Sequence, residues 1–404
     1  MKITFSPPDI SQEEIDSVVS VLKSGWLTTG PKTKEFEREI AHRCQNSKAV
    51  CVNSDTAALE LTLRLLGIGN GDEVITTPYT YTASASVIDH VGAKIVFADV
   101  KKGSLYIDPQ AIEEKITQKT KAVIAVDVAG GCPDYNNIKK VLEEKRAEFE
   151  PKNELQKRIG RVALIADAAH SFGSNSNGVP VGHLADFSCF SFHAVKNLVC
   201  GEGGAVTWRD FGEGLDEEIY KEFMLWALHG QNKDALAKSQ IGGWRYDIRF
   251  LGYKCNMPDI LAALGLAQLK RYEDIIAKRK HLIENYEKKI YSLLGEKVKI
   301  LPHKTKDYNS VGHLMITNIQ GITDKTRDAI IDYMATQKNV ATNVHYVPLP
   351  MHTAYKNLGF KASSYPNSVK AYENEISLPL FNKLTELEQD YIVNSLKEAI
   401  EKCG

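Results

Sequence analysis

An α/β fold, with a mostly parallel central sheet covered by helices on both faces, is what the 404-residue sequence predicts. Short apolar runs alternate with stretches of helical period, as strand, helix and parallel strand require. Capping boxes and glycine stops mark where helices begin and end. Polar side chains able to do chemistry fall at the carboxyl ends of the apolar runs, where open α/β sheets bind ligands.

Ser11-Gln12-Glu13-Glu14 is a capping box ahead of a helix that stops at Gly25. A strand at 50–52 leads through the turn Asn53-Ser54-Asp55-Thr56 into a helix that begins at Ala57 and ends before Gly67. Strands follow at 74–76 and 94–97, and Asp108-Pro109 opens another helix with proline in its first turn, where the missing N–H costs nothing. Further strands lie at 121–126, 162–166, 187–192 and 205–208. The charged stretch 139–161 reads as a solvated surface helix and loop. After Met257-Pro258 a helical pattern runs to about residue 290, and Thr385-Glu386-Leu387-Glu388 is a second capping box before a closing helix. A boundary near residue 250 divides the chain into a large domain, 1–250, and a smaller one, 251–404.

Bulk properties narrow the function. With 43% hydrophobic residues and a formal net charge of −1, the chain has enough apolar material for two cores but no electrostatic footprint for nucleic acid. No apolar run reaches the roughly 18 residues of a membrane span, and the first residues carry no secretion-type apolar core, so a cytoplasmic protein is expected. Seven cysteines, an odd number without a Cys-x-x-Cys pair, argue against a disulfide frame and against a zinc site.

Chemistry concentrates on a few positions. Lys196 follows the run Ser191-Phe192-His193-Ala194-Val195 and precedes Gly201-Glu202-Gly203-Gly204, the placement of an amine that bonds covalently to pyridoxal phosphate. Asp167 closes another apolar run, where a carboxylate could pair with a protonated pyridine nitrogen and keep the ring electron-poor. Thr56 and Ala57 sit at a helix N-terminus, an anion site, and Ser191 could add a hydroxyl to a phosphate there. Thr76-Thr77-Pro78-Tyr79-Thr80-Tyr81-Thr82 presents aromatic rings that could stack on a flat cofactor. Each signal alone also reads as a surface lysine, a helix cap or ordinary packing; their conjunction points to an enzyme.

These residues resemble a known family. Ser54-x-Thr56-Ala57-Ala58-Leu59, Pro78-x-Thr80-Tyr81, Asp167-Ala168-Ala169-His170, Ser191-Phe192-His193-x-x-Lys196, Gly201-Glu202-Gly203-Gly204 and Gly252-Tyr253-Lys254-Cys255-Asn256-Met257 occur in the order seen in the DegT/StrS sugar aminotransferases. The similarity runs from Ser24-Gly25-Trp26 to Ile376-Ser377-Leu378-Pro379-Leu380. It implies a fold-type-I pyridoxal phosphate transferase with a smaller C-terminal α+β domain. It also implies Lys196 as the covalent lysine, Asp167 at the ring nitrogen, Tyr81 stacked on the ring, His170 near the ring hydroxyl, and Thr56, Ala57 and Ser191 on the phosphate. The sequence departs from the family's pattern at three places: Asp55 replaces a small residue, Lys254 and Asn256 stand where Asn and Arg are common, and Ala194 replaces a proline.

The same resemblance implies a reaction in two halves: glutamate gives its amino group and leaves pyridoxamine phosphate, which then aminates a nucleotide-linked keto sugar. Residues 24–31 resemble those of members that act on C4 of UDP-linked 4-keto sugars, with Trp26, Thr28 and Thr29 near the sugar, so a UDP-linked 4-keto-6-deoxy sugar for a surface polysaccharide is expected and a dTDP- or GDP-linked one is the alternative. His345-Tyr346-x-Pro348 resembles a family stretch near the substrate, with Tyr346 read as core packing. A pyridoxamine phosphate-dependent dehydratase is disfavoured because Lys196 is kept, and a regulator because no helix-turn-helix precedes the enzyme-like sequence. A homodimer is implied, in which Lys254 and Asn256 reach the other subunit's cofactor phosphate.

Overall fold

The computed structural model describes residues 1–212 and 214–404. Nine strands lie between residues 49 and 208: β1 (Ala49–Val52), β2 (Glu73–Thr76), β3 (Lys94–Phe97), β4 (Thr120–Val126), β5 (Ala163–Asp167), β6 (Asn175–Ser176), β7 (Val179–Pro180), β8 (Phe187–Ser191) and β9 (Gly204–Trp208). Seven of them form one sheet in the order β1-β9-β8-β5-β4-β2-β3. Pairing is parallel from β8 across to β3, and β9 runs antiparallel to both of its neighbours. Parallel strands covered on both faces need apolar residues of both parities, and β4 shows it: Val123 and Ala125 enter the core on one face, Ala122 and Ile124 the core on the other.

A second, antiparallel sheet of β10 (Val298–Ile300), β12 (Met315–Ile319) and β13 (Glu375–Leu378) has a core of its own. Leu282, Ile330 and Leu396, from the helices Tyr272–Leu294, Asp324–Lys338 and Glu386–Cys403, fill it. The short strand β11 (Tyr308–Asn309) pairs with β6 and so ties the chain back to the β6–β7 hairpin.

Most of the expected boundaries hold. Ser11 and Glu14 form the capping box of the helix Gln12–Ser24, whose cap Gly25 has φ 74°, the left-handed region that favours glycine. Thr385 and Glu388 form the second box. The helix expected from Ala57 begins two residues earlier, at Asp55, because the Ser54 hydroxyl already caps the Ala57 N–H. The long helical pattern after Pro258 is two helices, Asp259–Lys270 and Tyr272–Leu294, parted at Arg271. Its guanidinium reaches Glu14 at 2.5 Å and Asp9 at 3.0 Å.

The stretch 139–161 is only partly the solvated surface expected of it. Arg161 is buried between Asp186, at 2.7 Å, and Glu143, at 2.9 Å, and the Gln156 amide donates to the Leu66 carbonyl at 2.6 Å. No helix among the described residues is long and apolar enough to cross a membrane. All seven cysteines are free.

Candidate active site

The sheet register brings the candidate residues to one place. Asp167 ends β5 and pairs with Val126 and Cys189 of the neighbouring strands; Ser191 ends β8 opposite Gly204, which itself pairs with Val52 just before the helix Asp55–Leu65. Gly204 has to be glycine: a Cβ there would lie 2.3 Å from the Ser54 carbonyl carbon and 2.5 Å from the Asp55 nitrogen. This close approach sets the start of that helix against the ends of β8 and β5. The loop after β8 then turns back through the Lys196 N–H to His193 carbonyl bond and presents Lys196.

A cavity of about 550 Å³ opens at this end of the sheet, lined by Thr56, Tyr81, Asp167, His170, Ser191 and Lys196 together with Asp55, His313, His345 and Tyr346. Desolvation dominates at Lys196 and outweighs the pull of Asp55 and Asp167, so its amine is pushed down to about 8. Asp167 is aimed by two donors: the Ser84 hydroxyl at 2.6 Å and the Ala169 N–H at 3.3 Å. His170 is buried, and desolvation with the nearby Lys196 charge holds it well below its usual value, so the ring is neutral. The Ala129 N–H donates to its Nδ1 at 3.2 Å, which puts the ring proton on Nε2, facing the Tyr346 hydroxyl at 3.0 Å.

These residues fit pyridoxal phosphate. Lys196 would supply the amine, Asp167 a carboxylate for the ring nitrogen, and exposed Tyr81 a face for the ring. Thr56, at a helix N-terminus, and Ser191, at the end of β8, would take the phosphate, and the cradle at Gly204 has no room for a side chain.

Ala57 is not part of this lining: its N–H is bound to the Ser54 hydroxyl at 3.1 Å, a helix cap that competes with an anion. Nor are Trp26, Thr28, Thr29, Lys254 and Asn256 among the residues around the cavity of their own chain. They form a separate string. Trp26 Nε1 donates to the Thr29 carbonyl at 3.3 Å, the Asn256 amide donates to the Thr29 hydroxyl at 2.5 Å, and Lys254 Nζ donates to Asn256 Oδ1. Thr28 is exposed, with its carbonyl accepting the Asp259 N–H at 3.2 Å.

Tyr346 corrects an expectation: it is half-buried and faces the cavity rather than the core. His345 lies beside it, its Nδ1 2.9 Å from the Ser377 hydroxyl, and desolvation pushes it down to about 4. Asp127 and His313 were not expected at all. Asp127 accepts from Tyr135 at 2.6 Å and Ser171 at 2.5 Å, with burial raising it to about 7; the His313 ring sits 4.4 Å from that of His170. Asp127 directly follows β4, one residue beyond the Val126 that pairs with Asp167, and that place at a strand's carboxyl end was the one readable signal for it.

Comparison with known proteins agrees with this geometry. The model of the DegT/DnrJ/EryC1/StrS aminotransferase family matches residues 8–397. A solved structure of the putative sugar aminotransferase Spr1654 from Streptococcus pneumoniae, in its PMP form, superposes with a TM-score of 0.96 at 48% identity, covering 100% of both chains. Its PLP form gives 0.94 at 46% identity, again over 100% of both chains. The spore coat polysaccharide biosynthesis protein SpsC of Bacillus subtilis is 35% identical over 99% of this chain and 97% of its own. PseC of Helicobacter pylori, an aminotransferase involved in the biosynthesis of pseudoaminic acid, has a TM-score of 0.86 at 26% identity over 100% of both chains.

Proposed function

The chain belongs to the DegT/DnrJ/EryC1/StrS aminotransferase family, and from that membership we propose that it moves an amino group from glutamate to the C4 keto group of a UDP-linked 4-keto-6-deoxy sugar destined for a surface polysaccharide. Pyridoxal phosphate is the cofactor. The observation that carries the reading is the meeting of Lys196 and Asp167 in one cavity with Thr56, at a helix N-terminus, and Ser191, at the end of β8. The PMP and PLP forms of the Spr1654 structures support the cofactor, and the names of SpsC and PseC support a sugar fated for polysaccharide or a related acid.

When bound, pyridoxal phosphate supplies a carbon that takes up the amine and a ring that accepts the electrons left as a proton departs. Lys196 holds the cofactor and then acts as the base. With its amine lowered to about 8, a useful fraction is neutral near neutral pH and can take the proton from the donor's α-carbon onto Nζ. In the second half Nζ gives a proton back at the sugar carbon that becomes C–N. Asp167, fixed by Ser84 and Ala169, pairs with the ring nitrogen and keeps it protonated. Thr56 and Ser191 take the phosphate, where the helix dipole adds to their hydroxyls. Neutral His170 orients Tyr346 toward the substrate side.

Two copies form a homodimer in this reading, with Lys254 of each reaching the other's phosphate. Trp244, Ile248 and Leu251, all exposed in a single chain, flank that segment and are the apolar surface a partner would cover. Incubating the protein with glutamate and a panel of UDP-, dTDP- and GDP-linked keto sugars, with amine formation read by mass, tests the substrate. Turnover of the UDP-linked 4-keto sugars is expected, and activity confined to 3-keto sugars overturns the C4 assignment.

A further inference from the structure

The helix beside the cavity opens on a carboxylic acid that the chemistry above leaves unused. Asp55 is 7% exposed, lines the same cavity as Lys196, and keeps its Oδ1 buried with no hydrogen-bond partner. Asp55 and Asp167 line the same cavity, and the charge of Asp167 acts on the Asp55 carboxyl. Two facing carboxyls in a desolvated site do not both ionise; they hold one proton between them. Their surroundings decide which one carries it. Asp167 receives the Ser84 hydroxyl and the Ala169 N–H, donors that favour an anion, whereas Asp55 Oδ1 receives none.

We propose that Asp55 carries the shared proton and donates it to Asp167, which makes Asp55 a positioning residue that steadies the ring-nitrogen carboxylate while keeping a second negative charge away from the cofactor phosphate. The proposal rests on the reading that Asp167 and Thr56 take the ring nitrogen and the phosphate. It accounts for the departure at this position. A carboxylate on the first residue of a phosphate-binding helix is repulsive, and a neutral acid turned toward Asp167 is not. Burial first, then the charge of Asp167, drives Asp55 well above the ordinary carboxylate range, with Lys196 pulling the other way. The other titratable group facing it is Cys189 of β8, whose thiol burial raises well above its usual value and so leaves neutral; Asp127, the residue after β4, faces Asp167.

The device is pH-sensitive. Raising the pH strips the shared proton, leaves two anions, and sets one of them against the phosphate, so the cofactor is held less tightly. The sign for the apoprotein follows from the same pair: a carboxyl raised in the fold binds more protons folded than unfolded, so its contribution to stability is greatest at low pH and is lost as pH climbs through the folded value. Asp55→Asn removes that loss.

The test compares wild type, Asp55→Asn and Asp55→Ala, reading the dissociation constant of free pyridoxal phosphate by protein fluorescence and the unfolding temperature of the apoproteins, from about pH 6 to about pH 9. Expected are equal affinities for wild type and Asp55→Asn at the acid end. Toward the alkaline end the asparagine variant should bind tighter by up to about tenfold per pH unit, and its apoprotein should gain stability over wild type. Asp55→Ala, which has no donor for Asp167, should bind roughly tenfold more weakly than Asp55→Asn throughout. An affinity ratio that stays near one at every pH, or an asparagine variant that already binds much tighter at the acid end, overturns the proposal. Wild type that binds no pyridoxal phosphate at all overturns the cofactor reading beneath it instead.

Discussion

His170 Nε2 stands 3.0 Å from the Tyr346 hydroxyl, with the two rings 6.1 Å apart and 20° from parallel. Because Ala129 occupies Nδ1, the neutral imidazole must donate from Nε2 and the phenol must accept. The tyrosine's own proton is then free to point into the cavity. A residue of the second half of the chain thus becomes a donor above a site built from the first half.

Tyr346→Phe should therefore fold and retain cofactor but lose the donor. It leaves the His170 N–H without a partner, a cost of about 1–3 kcal/mol in stability. We expect kcat/KM to fall by roughly 10- to 100-fold. Steady-state kinetics beside a denaturation curve checks it, and unchanged kinetics would exclude Tyr346 from substrate contact.

Glu375 gives a prediction in pH. It is fully buried in β13, accepting the Ser377 hydroxyl at 2.6 Å and the His345 N–H at 2.8 Å, and burial raises it to about 8 despite those donors and Arg327. A raised carboxyl is protonated in the fold where the unfolded chain has released its proton, so wild type should lose stability as pH rises from its ordinary range to about 8, by at most about 1.4 kcal/mol per pH unit. Glu375→Gln keeps the shape and cannot ionise. Chemical denaturation of both proteins at several pH values should show a shallower decline for the variant; parallel curves would mean that Glu375 does not titrate as described.

The strands of the large sheet are legible in the sequence because β1, β2, β4, β5 and β9 are buried at every residue, so their apolar runs are nearly unbroken. Lys196, Asp167 and Thr56 are legible for a related reason: each follows such a run by a few residues, and the sheet itself gathers strand ends. Tyr346 is not, because its partner His170 is 176 residues away and no local pattern separates a tyrosine over a cavity from one in a core. Arg161 misleads in the same way. It ends a charged, surface-like stretch, yet Asp186 draws it inside.

Gly204→Ala tests the cradle. The added methyl meets backbone atoms of Ser54 and Asp55, which cannot swing aside as a side chain could, so the helix Asp55–Leu65 must shift from β9. Overpacking of this kind costs about 1–3 kcal/mol. The larger effect should fall on cofactor affinity, because Thr56 moves with the helix. Titration with pyridoxal phosphate should show weakening well beyond that of Gly201→Ala, where a Cβ meets nothing within 4 Å although the positive φ of 87° adds some strain. Equal weakening would detach the effect from the cradle.

Assembly yields to subunit exchange. Lys196→Ala removes the amine proposed as catalytic from one chain, and Lys254→Ala removes a cation that lies outside its own chain's cavity. If each site takes Lys196 from one chain and Lys254 from the other, a hybrid of the two variants has one site with both changes and one with neither. Random exchange makes half of the dimers hybrids, so mixing two inactive proteins should restore roughly a quarter of wild-type activity. Mass photometry or native mass spectrometry of differently tagged chains establishes that exchange took place. Activity that stays at background after demonstrated exchange would mean that Lys254 serves the site of its own chain, or none.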